Sequence, residues 1–118
     1  MSLKSFTFVS VSTLLILTSS TLVSADRAAM QGEQLFNYHG CVNCHGDQGL
    51  NPTSTLVPKI GGLEESEILV RSQKILRGET DSEEAKLMKS AIAYSQSCDA
   101  PPTEAELQQI AAWLALQQ

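Results

Sequence analysis

The chain has 118 residues, of which 42% are apolar and 5% aromatic, with three cysteines and a formal net charge of −5. That length holds one domain and argues against a large enzyme with separate cofactor and substrate modules. The acidic balance argues against a nucleic-acid partner, which needs clustered Lys and Arg, and the scarcity of aromatics points to a core filled by more than side chains.

Residues 1–25 read as a secretory signal. Lys4 gives a thin positive start, Phe6 to Leu17 an apolar run diluted by Ser and Thr, and Val23-Ser24-Ala25 the small residues of a cleavage site before Asp26. The run is short and broken for a membrane span, although an uncleaved N-terminal anchor competes with this reading. Removal takes 25 of the 118 residues and Lys4, one of 8 basic residues, leaving 93 residues with 13 acidic and 7 basic groups. The domain expected is therefore 26–118, with net charge −6 and no membrane span. Export places its thiols in an oxidising compartment, the periplasm, where they are expected to be bonded. So small a core gains from a staple or a prosthetic group.

The remaining periodicity is helical, so the fold class expected is all-α. A first helix fits residues 28–38, with Met30, Leu35 and Phe36 apolar. Residues 51–62 read as loop, marked by Pro52, Pro58, Gly61 and Gly62. A second helix fits 64–77, with Ile68, Ser72, Ile75 and Leu76 at helical spacing and Gly78 placed to end it. Residues 83–95 suit a third, capped by Asp81 or Ser82. In the last helix Thr103 and Glu106 match a capping box, and Leu107, Ile110, Ala111 and Leu114 recur at i, i+3, i+4 and i+7. Glu64, Glu65, Glu67, Glu83, Glu84, Glu104 and Glu106 cluster near helix starts, where the helix dipole favours them.

Cys41-Val42-Asn43-Cys44-His45 is the C-x-x-C-H pattern of covalent haem c attachment. Two cysteines three apart on a turn can add their sulfurs to vinyl groups on adjacent pyrroles, and the following His45 can coordinate the iron. A thioredoxin-like pair would want a βαβ context, which is absent. A zinc site from His39, Cys41, Cys44 and His45 is crowded for a tetrahedral cage. A plain Cys41–Cys44 disulfide leaves His45 unexplained. His39 itself reads as a surface or packing residue.

These residues resemble the class I bacterial cytochromes c, the c4/c5/c553-like group, over most of 28–117. Gly32 and Phe36 match the G-x-x-x-F of that family's first helix, Cys41 to Gly46 its C-x-x-C-H-G, Pro58 to Gly62 its P-x-[LI]-x-G loop, and Ile110 to Leu114 its last helix with Trp113 as the aromatic. The resemblance implies three to five helices around one haem, with first and last helices crossing at Gly32, Phe36 and Trp113. It also implies that the Pro58 carbonyl accepts a hydrogen bond from His45, fixing the ring.

The family's second iron ligand is a downstream methionine. Met30 precedes the motif and is poorly placed for the opposite haem face, whereas Met88 stands in the expected order. A His45/Met88 pair would raise the potential and close the iron to small ligands. Met88 departs from the pattern by lying in a helical stretch rather than a loop, and a core filler is the competing reading. Cys98, in an insert from Ser95 to Pro102, lies outside the family motif. It reads as an intermolecular disulfide, a redox-reactive thiol, an alternative iron ligand or a partly buried small residue.

The function expected is a periplasmic electron carrier rather than an enzyme, docking redox proteins through their basic faces. One alternative is the haem subunit of an oxidoreductase complex, such as a sulfur-compound or organic-substrate dehydrogenase, tied to its partner through Cys98. Another is a ligand-binding haem protein with an open sixth position.

Overall fold

A computed structural model describes residues 30–93 and 100–118. The expected signal of residues 1–25 and Cys98 lie outside them. Among the described residues the elements are α1 (Gly32–Tyr38), α2 (Val42–His45), a 3-10 turn (Asp47–Gly49), α3 (Glu65–Arg77), α4 (Glu83–Ala93) and α5 (Glu104–Ala115), with no strand. The fold is small and all-helical.

Helix boundaries follow local chemistry. α1 begins at Gly32, later than the periodicity suggests, because Gln31 is extended and its N–H donates to the Gln34 side chain at 2.8 Å. Met30 stands before this start yet still packs against the core. α4 is capped by Ser82, whose hydroxyl accepts from the Ala85 N–H at 3.1 Å. α5 opens with the reciprocal capping box: the Thr103 N–H donates to Glu106 at 2.7 Å and the Glu106 N–H to the Thr103 hydroxyl at 3.3 Å. α3 ends at Gly78 in the left-handed conformation.

α5 is the centre of the packing, in contact with both α1 and α3, while α4 packs on α3 and α2 on the 3-10 turn. Leu35, Phe36, Ile68, Ile110, Ala111 and Leu114 form one buried cluster. Full burial of side chains such as Phe36 and Leu114 contributes about 1.5–3 kcal/mol each. The α1–α5 crossing depends on Gly32, where an added Cβ would run into the Gln109 carbonyl and Trp113 Cβ. The helices approach closely enough for the Phe36 and Trp113 rings to meet at 5.3 Å and 47°.

α4 differs from the others. Its buried Ala85 and Ile92 stand apart from the central cluster and face a cavity instead. The loop between the 3-10 turn and α3 is tied both to that turn and to α5. Ile60 and Gly61 N–H groups both donate to the Gly49 carbonyl at 2.9 Å, and the Gly62 N–H donates to the Leu114 carbonyl at 2.9 Å.

Candidate functional site

The Cys41–His45 segment hangs directly from the end of α1. The His39 N–H donates to the Leu35 carbonyl and the Cys41 N–H to the Phe36 carbonyl, both at 3.0 Å, so α1 and its core residues fix where the motif starts. Within the motif the His45 N–H donates to the Cys41 carbonyl at 3.0 Å, closing the single turn that sets both sulfurs and the imidazole on one short helix. Gly46 then reverses the chain at φ 74°, with the Asn51 carbonyl occupying the space of any Cβ. Thr53 secures the reversal by donating its N–H (2.9 Å) and its hydroxyl (3.2 Å) to the Cys44 carbonyl.

The loop thereby returns Pro58 to the buried ring of His45. Nδ1 lies 2.9 Å from the Pro58 carbonyl, and because a carbonyl only accepts, Nδ1 carries the proton. That leaves Nε2 with its lone pair, the state in which an imidazole binds a metal. Burial pushes the His45 pKa below its ordinary value, partly opposed by the Pro58 hydrogen bond, so the ring is neutral. Cys41 and Cys44 stand as separate thiols. Burial, opposed by the Cys41 backbone and reinforced by Cys44, pushes the Cys41 thiol up to about 11, so it too is neutral.

All three side chains open onto a cavity of about 770 Å³, within the range of roughly 300–1,000 Å³ usual for ligand and cofactor sites. Its walls are largely apolar, with Ile68, Ile75 and Leu76 from α3, Ile92 from α4, and Ile110 and Leu114 from α5. Pro58 and Met88 line the same space. Met88 sits in mid-α4, as its helical stretch suggests, half-buried on the face that carries Ala85 and Ile92. The structure thus gathers Cys41, Cys44, His45, Pro58 and Met88 around one apolar cavity.

His39 resolves into a packing residue. It is 2% exposed, and its Nε2 lies 3.4 Å from the carboxylate of Glu106, itself 7% exposed. The cage in which His39 would join Cys41, Cys44 and His45 is not formed; no group of three or more His, Cys, Asp or Glu gathers for a metal among the described residues. The buried role of Glu106 was missed by sequence reasoning. The capping box marks Glu106 as a helix-start residue and carries no sign that its carboxylate turns inward.

No helix among the described residues is long and apolar enough to cross a membrane. Compared with protein-family models, curated proteins and solved structures, the chain matches none.

Proposed function

We propose that the chain is a class I c-type cytochrome, exported to the periplasm, that carries single electrons between redox proteins. The observation that carries this reading is the C-x-x-C-H helix opening, with a neutral His45, onto an apolar cavity that also holds a methionine. The residues fit a covalent haem. Cys41 and Cys44 are unbonded to each other and both line the cavity, as two thioethers to neighbouring pyrroles would require. The volume and the apolar walls suit a large flat macrocycle.

When bound, the haem supplies a one-electron couple at its iron. The chain's own residues set its properties. His45 would hold the iron through Nε2, and the Pro58 carbonyl fixes the ring and raises its basicity. Met88, on the cavity-lining face of α4 with Ala85 and Ile92, would hold the iron through its thioether, which would raise the potential and close the iron to small ligands. The walls from α3, α4 and α5 exclude water, which limits reorganisation when charge changes. The net negative charge steers the protein toward partners with basic docking faces. Electron-transfer rates with such a partner fall as ionic strength rises; rates insensitive to salt remove the steering.

Optical spectra of the purified protein in both redox states, repeated on Met88→Ala, test the reading. The native protein is expected to keep its haem through denaturation and to show the weak long-wavelength sulfur-to-ferric-iron band, lost in Met88→Ala. Cys41→Ser/Cys44→Ser should release the haem on denaturation. A native chain without covalent haem overturns the function, and a Met88→Ala spectrum identical to the native one overturns the ligand.

A further inference from the structure

We propose that a groove beside Trp113 is where a basic redox partner docks, with Trp113 and Phe36 as the electron route from the groove to the cavity. The assignment deepens the haem reading above and rests on it. Glu33, Phe36 and Asn37 of α1, Asp47 and Gln48 of the 3-10 turn, and Trp113 of α5 enclose a groove of about 330 Å³. Phe36 is the one residue that lines both this groove and the cavity. It is 1% exposed, and its ring meets that of Trp113 at 5.3 Å, a contact distance for aromatic rings. The two side chains therefore make a packed aromatic path from the groove to the cavity. Electron coupling falls steeply across voids and more gently across atoms in contact, so a close-packed wall of this kind conducts best where its rings touch.

Charge separates the groove from the cavity as a docking point. The charged residues of the groove are Glu33 and Asp47, both exposed, and neither Lys nor Arg lines it. The cavity lining instead sets Lys59 and Arg71 against Glu67 and Glu84, so its formal charges cancel. A partner with Lys or Arg around its own redox centre is therefore drawn to the groove. The groove has room for an ammonium or a guanidinium, and the Trp113 indole beside the carboxylates adds cation–π attraction. In the docked pair the partner loses one electron and the haem gains it. No bond forms, and no proton moves.

Two cationic probes of the haem-bearing full chain test this. Hexaamminechromium(III), a paramagnetic cation that exchanges no electron here, should broaden the indole N–H resonance of Trp113, the single tryptophan, at low ionic strength. Glu33→Gln/Asp47→Asn should abolish the broadening, whereas Glu67→Gln/Glu84→Gln should keep it. Reduction by hexaammineruthenium(II) should slow about tenfold in Glu33→Gln/Asp47→Asn at low ionic strength and lose most of its salt dependence. Glu67→Gln/Glu84→Gln, the same charge change at the cavity, should slow it far less. Trp113→Leu should slow the reaction several-fold at low and high salt alike while keeping the native haem spectrum, and Trp113→Phe should recover most of the rate. Docking at the groove is overturned if Trp113 is not broadened in the native chain, or if Glu67→Gln/Glu84→Gln slows reduction as much as Glu33→Gln/Asp47→Asn. The route is overturned if Trp113→Leu keeps the native rate. Should Trp113→Leu fail to load haem, Trp113→Met takes its place in the same comparison. A chain that never carries haem defeats the functional reading instead.

Discussion

His39 Nε2 and the Glu106 carboxylate lie 3.4 Å apart with both residues withdrawn from solvent. The pair joins the end of α1, from which Cys41 hangs, to the first turn of α5. Glu106 serves twice, because the same carboxylate also accepts the Thr103 N–H. Glu106→Ala removes the side-chain half of the capping box while the Thr103 hydroxyl keeps its partner, about 1 kcal/mol, and strands a buried partner, about 1–3 kcal/mol. A total loss of about 2–4 kcal/mol is expected in chemical denaturation of the full protein. His39→Ala/Glu106→Ala should cost less than the sum of the single changes, and strict additivity would mean that the two do not interact.

The α1–α5 crossing predicts a second effect. Gly32→Ala places a methyl group against a backbone carbonyl and the Trp113 Cβ, neither of which can swing aside as a flexible side-chain end does. The helices must separate, loosening the Phe36–Trp113 contact at 5.3 Å. A destabilisation of about 1–3 kcal/mol follows, with a shift in Trp113 fluorescence. Unchanged fluorescence and stability would show that the crossing relaxes freely.

The helices of this chain are written locally. Leu107, Ile110, Ala111 and Leu114 repeat at helical spacing, and all four are buried. Thr103 and Glu106 mark where α5 begins. The Cys41-to-His45 part of the site is equally legible, since two sulfurs and an imidazole within five residues need no tertiary information. What the sequence leaves open is whatever depends on chain return. That Pro58 meets His45 rests on family resemblance until Gly46 and Thr53 are seen to fold the loop back. The inward turn of Glu106 has no local signature, because a capping glutamate looks the same whether α1 covers it or not. Met88 is intermediate. Its helical setting is readable, but its place on the cavity face needs α4 to pack on α3.

Gly46 carries a sharper prediction. Its φ of 74° and the Asn51 carbonyl in the Cβ position leave no room for a side chain. Gly46→Ala should therefore displace the Thr53 contacts to Cys44 and, with them, the return of Pro58 to His45. If the chain carries the proposed haem, the expected result is a several-fold lower yield of covalently loaded protein, measured as haem absorbance per polypeptide. A native ratio in Gly46→Ala would show that the reversal does not govern the site.

If the cavity takes the proposed haem, α4 should be the helix most dependent on it. Its buried Ala85 and Ile92 line the cavity rather than the central cluster, and its packing partner is α3. The apolar contacts of that face would then depend on the haem. Amide hydrogen exchange in a Cys41→Ser/Cys44→Ser chain lacking haem should be accelerated most in 83–93 and least in α1 and α5. Equal acceleration in all helices would mean that the fold collapses as one unit.

The depressed pKa of His45 makes the haem-free chain acid-sensitive, and the direction follows from linkage. Burial lowers the folded-state value below the ordinary 6.5, so the unfolded chain takes up the proton first as pH falls. The stability contributed by the neutral buried ring is fully present above about pH 6.5 and is lost as pH drops toward the folded-state value. Urea midpoints of the haem-free chain should therefore fall through this acid range, and His45→Gln should flatten that part of the profile while leaving the contribution of the carboxylates at lower pH. If the proposed haem is bound, a ligated Nε2 could not be protonated without leaving the metal, and the same acid range should instead be flat until the ligand dissociates. If both forms lose stability in parallel below pH 6.5, His45 is not the group responsible.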